Sequence, residues 1–434
     1  MDISYHLLPQ LSQDQQKRIT KCIAQHHQHM SDEWNTQKST PYDFINIVHD
    51  IRYAQSYQQI IDTLKSIHAR YIVLVGIGGS AMGTLAVYHA LKHHRIEHAP
   101  ELICFDTIDP VLTNQLLEQL QHIFQTQSYV VCIVSKSGTT VETNVNAALV
   151  IDLLQKYDPK AYRQKVVVIS DDGSPLMKWA HDTTTYFAAI PKYIGGRFSI
   201  FSAAGIIPLA LLGFDVHQLI LGAQTANLHT FTMTASSHHN HTLHIAYYLA
   251  QAYESNMYIH NWFIFATRYQ HMGLWYRQLL AESIGKQSPH GPVGITPTVT
   301  LGPIDLHSIA QLYLEGPINT TTNFLSVVCD YKQSMVIPPS PFTQQLHNNI
   351  TLSDVHKALY HGIIQAYQQQ ERPYMVTTLN CAEHDIGYFM QIHMLSIVYL
   401  GILLEVNVFD QPGVALYKQA AHRYLTATTS SASH

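Results

Sequence analysis

Charge is scarce in this sequence. Only 13% of its 434 residues are Asp, Glu, Lys or Arg, and the formal balance is −5 with histidine neutral. A mildly acidic chain with no long basic run lacks the electrostatic footprint of a nucleic-acid-binding protein. Cysteine is sparse as well: Cys22, Cys104, Cys132, Cys329 and Cys381 are scattered singly, with no CxxC pair. An odd, unpaired set is expected of buried, inert thiols in a reducing compartment. The opening Met1-Asp2-Ile3-Ser4-Tyr5-His6 has neither the basic nor the apolar region of a secretory signal. Both absences point to the cytoplasm. Long apolar runs are missing too, except over residues 388–406, which are long enough to raise a membrane question. That stretch carries Gln391, His393 and Glu405, and no second span accompanies it. It is expected to be a buried helix, with no membrane partner.

What is present is a 46% hydrophobic content, which rules out wholesale disorder. The length suits roughly two or three domains. The 29 histidines gain charge near pH 6, so the net −5 holds only above it.

From residue 71 onward, short apolar runs alternate with amphipathic segments. Residues 71–75, 102–105, 129–134, 166–170 and 186–190 read as buried strands, with helices over 81–92, 111–124 and 143–154 between them. Continuous apolar strands with helical crossovers mean a parallel sheet covered on both faces. An apolar helix over 201–212 closes this half at Gly213. The second half repeats the logic, with strands at 257–265, 324–328 and 374–379. Its helices are expected over 270–282, 306–314, 355–369 and 386–404. The polar connection 225–241 is the natural boundary. The expected division is an N-terminal helical segment (1–55), two α/β domains (56–224 and 225–408), and a C-terminal helix and tail (409–434).

Six short motifs carry chemistry. Gly76-Ile77-Gly78-Gly79-Ser80 joins a strand to a helix, where free N–H groups and partial positive charge suit an anion. It is not the full dinucleotide fingerprint, and a ligand-free tight turn is the alternative. Ser135-Lys136-Ser137-Gly138-Thr139-Thr140 follows another strand and can hold a phosphate through hydroxyls, lysine and amides. Its bland alternative is an ordinary helix cap at Ser137 or Thr139. Parallel sheets bind ligands at the carboxyl ends of their strands, where both loops fall.

Gly195-Gly196-Arg197-Phe198-Ser199 offers an arginine to a developing oxyanion, or to a structural ion pair. Gln278 and Glu282 share a helix face ahead of Gly285-Lys286, and Glu282 is a candidate base for a proton on carbon. An exposed helical glutamate is the alternative. His307, in Asp305-Leu306-His307-Ser308, could move protons at sugar oxygens near pH 7, although it is one histidine among 29. Asp410-Gln411-Pro412-Gly413 opens a helix carrying Lys418, which alone reads as a turn and a solvated lysine. The His238-His239-Asn240-His241 cluster invites a metal, but no carboxylate is spaced to complete a site. No metal is expected.

Taken in order, GIGGS, SKSGTTVET, GGRFS, QxxxESxGK, LHSxxQ and FDQPGVxxxK resemble the signature segments of the glucose-6-phosphate isomerase family, across roughly residues 45–424. The compact length is similar to the shorter bacterial forms. The resemblance implies two sugar-isomerase (SIS) domains with flavodoxin-like sheets, a homodimer with a shared active site, and no required cofactor. It puts the phosphate of a sugar phosphate on Ser80, Ser135, Lys136, Ser137 and Thr140, beside Gly78 and Gly79. Glu282 matches the base that moves a proton between C2 and C1, and Arg197 the residue stabilising the enediolate. His307, arriving from the partner subunit in that family, pairs with Lys418 for ring opening. Gln278 and Gln411 match polar contacts to the sugar. Ala415 departs from the family pattern, which has Glu there, and implies a lost supporting contact rather than lost activity. Two alternatives remain: a non-catalytic sugar-phosphate-binding regulator on SIS domains, and an isomerase that also accepts mannose 6-phosphate. In the bifunctional branch Thr tends to replace the Gln at position 278, so Gln278 favours glucose.

Overall fold

The computed structural model of the chain describes residues 1–6, 11–34, 40–95, 97–233, 237, 239–328, 334–347 and 349–431. Its strands are β1 (Asp2–His6), β2 (Tyr71–Val75), β3 (Glu101–Phe105), β4 (Tyr129–Val134), β5 (Val166–Asp171) and β6 (Tyr186–Ile190). Then come β7 (Ile259–Ile264), β8 (Lys286–Ser288), β9 (Gly291–Val293), β10 (Thr296–Leu301), β11 (Thr320–Val328) and β12 (Tyr374–Asn380). The first helices are α1 (Gln13–Trp34), α2 (Asp43–Asn46), α3 (Ile51–Lys65), α4 (Met82–Leu91) and α5 (Pro110–Thr126). They are followed by α6 (Val141–Tyr157), α7 (Pro175–Asp182), α8 (Ala203–Leu211), α9 (Val216–Thr232) and α10 (His241–Glu254). The last are α11 (Gln270–Ile284), α12 (Ala310–Glu315), α13 (Leu352–Gln369), α14 (Glu383–Leu403) and α15 (Pro412–Ser431).

Two five-stranded sheets organise the chain. The first runs β3-β2-β4-β5-β6, all parallel. The second runs β10-β7-β11-β12 in parallel, with β1 added antiparallel to β12. Counted from β2 and from β7, both sheets share the 2-1-3-4 order of flavodoxin-like folds. This is the α/β architecture with parallel sheets and flanking helices that the strand pattern implied. β4 is buried at every position, which is why it reads as an unbroken apolar run.

Four strands escaped the pattern: the short β8–β9 hairpin, and β1 and β10 of the second sheet. β1 lies in the segment expected to be helical. β10 is rich in threonine because Thr298 and Thr300 both donate to Asn261 Oδ1 on the neighbouring strand, at 2.9 and 2.7 Å. Polar groups satisfied inside a sheet erase the hydrophobic signal. The helix expected over 306–314 is split into a 3₁₀ turn, Ile304–His307, and α12. α9 runs straight through residue 225, where polar composition suggested a boundary. α14 is long and apolar enough to cross a membrane, yet 89% of its apolar window is buried inside the fold, against α9, α10 and α11.

The cysteines need one correction. Cys22, Cys104 and Cys132 are free, but Cys381 is disulfide-bonded rather than an inert thiol. Spacing along the chain does not reveal which sulfurs meet in space. Cys329 lies outside the described residues.

Candidate active site

Both anion loops leave the carboxyl ends of adjacent strands, β2 and β4, at the switch point of the first sheet. Gly78, Gly79 and Ser80 form a single 3₁₀ turn. A Cβ at Gly79 would stand 2.4 Å from the carbonyl carbon of Gly196, so only glycine lets these two loops touch. Ser199 Oγ reinforces that contact, donating to Gly196 O at 2.8 Å and reaching Gly79 O at 3.4 Å.

In the second loop Gly138 takes a φ of +63°, a left-handed turn that aims the chain into α6. Ser135 is buried, and its Oγ has no hydrogen-bond partner among the described residues. Thr140 occupies the N-cap of α6, yet its side chain makes no capping bond. The N-cap position is thus Thr140 rather than Ser137 or Thr139. Ser137 Oγ accepts from Thr139 N at 3.2 Å and Thr139 Oγ1 at 2.9 Å. Uncommitted hydroxyls at a helix N-terminus are what an anion needs. Burial lowers the pKa of the Lys136 ammonium; Asp171 opposes the shift and Arg197 adds to it. Burial raises the pKa of Asp171, against the pull of Lys136 and Lys192.

The second half of the chain delivers the carboxylate. α11 packs on α4, the helix that follows the first anion loop. Gln278 comes close enough that a Cβ on Gly78 would lie 3.4 Å from its Nε2. One turn on, Gln278 Nε2 donates to Glu282 Oε2 at 3.1 Å, while Arg197 Nη1 lies 3.4 Å from Glu282 Oε1. Each carboxylate oxygen thus faces a donor, and the side chain remains 24% exposed on the open side.

Arg197 is 2% exposed and makes four hydrogen bonds. Its Nε donates to Ser283 Oγ at 2.7 Å and its Nη1 to Gln411 Oε1 at 3.1 Å. Its Nη2 donates to the carbonyls of Val408 and Asp410. Glu282 adds an ion pair at 3.4 Å from Nη1 rather than a fifth hydrogen bond. Burial lowers the arginine's pKa, and Glu282 and Asp410 offset the effect.

Glu282, Arg197, Gln278 and Gln411 therefore meet, beside the loops holding Ser80, Ser135, Lys136, Ser137 and Thr140. Among the described residues, neither His307 nor Lys418 makes a hydrogen bond or ion pair with them. His307 is exposed at the end of the 3₁₀ turn after β10, an edge strand, and Lys418 is exposed on α15. The histidine cluster resolves otherwise. Asn240 Oδ1 accepts from Leu243 N and caps α10, while its Nδ2 donates to Thr230 O and Met233 O. His238 lies outside the described residues. Among those described, no three His, Cys, Asp or Glu are grouped to hold a metal.

The sequence profile of phosphoglucose isomerase matches residues 46–312. A glucose-6-phosphate isomerase of Thermus thermophilus is 32% identical over 368 residues, covering 81% of this chain and 83% of that one. The chain belongs to the phosphoglucose isomerase family. Among solved structures, a hypothetical protein of Thermus thermophilus superposes with a TM-score of 0.82 at 26% identity, covering 98% of this chain and 99% of the other. A glucose-6-phosphate isomerase from Chlamydia trachomatis shares the fold, with a TM-score of 0.78 at 18% identity over 98% of this chain and 88% of that one.

For a phosphoglucose isomerase site, sequence reasoning left three participants without a role. Ser283 and Lys286 stand inside the QxxxESxGK segment, adjacent to residues that were singled out. Asp171 ends β5 at the sheet's carboxyl edge, and that position was its available signal.

Proposed function

We propose that the chain interconverts glucose 6-phosphate and fructose 6-phosphate, working as a homodimer with two SIS-type domains. The observation that supports this most is Glu282, held between Gln278 and Arg197 beside the uncommitted hydroxyls of Ser135 and Thr140. The phosphate sits on Ser80, Ser135, Lys136, Ser137 and Thr140, along the backbone of Gly78 and Gly79. Its binding energy positions the reacting end. His307 of the partner subunit and Lys418 exchange the protons that open the ring, leaving an aldehyde at C1 and a hydroxyl at C5. Gln278 and Gln411 orient the open chain. The Glu282 carboxylate then takes the C2 proton and the C2–H electron pair forms the enediolate, with negative charge on oxygen.

Four hydrogen bonds hold the five-donor Arg197 guanidinium in place. As Glu282 gains the proton its charge disappears, and the Arg197 guanidinium, 3.4 Å from that carboxylate, stabilises the negative charge on the enediolate oxygen. A proton passes from O2 to O1, and returning the C2 proton to C1 then gives the ketose. C2 is oxidised and C1 reduced within one molecule, so the balance needs no external electron carrier. A phosphate dianion does not cross a bilayer unaided, so we place the chain in the cytoplasm with its substrate.

A regulator built on the same domains needs the anion loops but not a carboxylate gripped by an amide and a buried guanidinium. The test is a coupled assay of the purified chain on glucose 6-phosphate with no added metal. Sustained formation of fructose 6-phosphate is expected, and folded protein that forms none would overturn the proposal.

A further inference from the structure

Lys286 lies two residues beyond the end of α11, at the start of β8 and four residues after Glu282. Its side chain is only 6% exposed. Nζ donates to Asn407 O at 3.0 Å, to Asp410 O, and to Asp410 Oδ1 at 2.7 Å. An ammonium has three donors, and all three are used on one short segment, residues 407–411. The same segment is held from the other side by Arg197, through the Val408 and Asp410 carbonyls and the Gln411 side chain. The Asp410 carbonyl accepts from both cations.

We propose that Lys286 is a positioning residue for the isomerase reaction. It fastens the 407–411 strap, and through it Gln411 and the start of α15, to the helix that carries Glu282. The inference rests on the isomerase reading of this site.

The contacts close a ring. Glu282 meets Arg197, Arg197 holds Gln411 and Asp410, Asp410 is held by Lys286, and Lys286 returns along the backbone to Glu282. Arg197 can only donate, so Gln411 must turn its carbonyl oxygen toward it. Its amide N–H groups are then free to donate to a sugar oxygen. Without Lys286 the strap is linked to α11 only indirectly, through Arg197 and its bond to Ser283. Gln411 and the base's helix can then shift relative to each other by the fraction of an ångström that matters for proton transfer.

An isolated exposed ion pair contributes little, and Asp410 is half exposed. Lys286 differs because two of its three acceptors are main-chain carbonyls, whose positions define the path of the strap. The strap also has an apolar anchor independent of Lys286. The Phe409 ring packs on Tyr42, Phe44 and Phe198, at centroid distances of 5.1, 6.4 and 5.6 Å. Loss of the ammonium therefore loosens the strap without unfolding the protein.

The experiment compares Lys286→Met and Lys286→Arg with the parent, using steady-state kinetics and hydrogen exchange over residues 404–413. Lys286→Met should lower kcat at least about tenfold, a barrier change of about 1.4 kcal/mol. KM should change by less than about threefold, because the phosphate loops are untouched. Exchange at residues 407–411 should speed up. Lys286→Arg, which keeps a cation and several donors, should recover most of both. Parental kcat and parental exchange in Lys286→Met would overturn the proposal, as would an Arg variant no better than Met. If the parent itself shows no isomerase activity, the functional reading fails, while unchanged exchange in Lys286→Met would separately dismiss the tether.

Discussion

Gln278 Nε2 donates to Glu282 Oε2 at 3.1 Å, one helical turn apart on the same face of α11. A carboxylate only accepts, so this bond fixes the orientation of the amide. Gln278 Oε1 is left buried without a partner among the described residues. The amide thus steadies the base with one end and presents an acceptor with the other.

Replacing Gln278 by Thr shortens the side chain and breaks this bond. Turnover of glucose 6-phosphate by Gln278→Thr should fall about tenfold, the effect of one lost hydrogen bond to a charged group. The same variant should be assayed on mannose 6-phosphate, where its activity relative to glucose 6-phosphate is expected to rise. Unchanged turnover and an unchanged ratio would remove Gln278 from the chemistry.

The anion cradle makes a separate prediction. The double variant Ser135→Ala, Thr140→Ala removes two hydroxyls, each worth about 1.5–3 kcal/mol toward a charged acceptor. Inorganic phosphate should raise the melting temperature of the parent by binding the native state, and the double variant should lose most of that rise. Equal protection in both proteins would place the phosphate elsewhere.

How much of this could be read from the sequence depended on what kind of contact was involved. β2 and β4 were legible to the residue because buried parallel strands are unbroken apolar runs. β10 was not, since its threonines are satisfied by Asn261 across the sheet. The motif residues around Glu282 and Arg197 announced themselves through unusual local chemistry. The strap did not, because Val408 and Asp410 contribute main-chain carbonyls, and any side chain supplies those. Lys286 was visible as a letter in a motif but not as a tether, since its partners lie more than a hundred residues downstream.

Stability should depend on pH through two buried imidazoles. Burial pushes both His260 and His393 from 6.5 down to about 3, and for His393 the charges of His260 and His241 add to the shift. The unfolded chain binds these protons below about pH 6.5 while the folded chain refuses them. Stability from this source is therefore complete above 6.5 and is lost as the pH falls from 6.5 toward 3. Each such proton is worth about 1.4 kcal/mol per pH unit. The urea midpoint should drop between neutral and mildly acidic pH, and drop less steeply in His393→Phe. Identical slopes would show that His393 is not kept neutral by the fold.

The proposed shared site can be tested by mixing. Glu282→Gln and His307→Ala homodimers should each be inactive. If His307 serves the neighbouring subunit, a mixed dimer has one pocket with both lesions and one with neither. Refolding the two proteins together should then restore roughly a quarter of parental activity, the ceiling for random pairing. No recovery, with light scattering confirming dimers, would assign His307 to its own subunit or outside the chemistry.

The account turns on Glu282 as the group that carries the proton between C2 and C1. The most direct measurement follows the C2–H signal of glucose 6-phosphate by proton NMR in deuterated water, with the parent and with Glu282→Gln. The parent should lose that signal as fructose 6-phosphate forms. Glu282→Gln keeps its shape but cannot accept a proton at neutral pH, so its loss of signal should be at least about a hundredfold slower. Phosphate should still protect this variant against heat, since the cradle is intact. A Glu282→Gln protein that exchanged the C2 proton at more than about half the parental rate would contradict the assignment of the base.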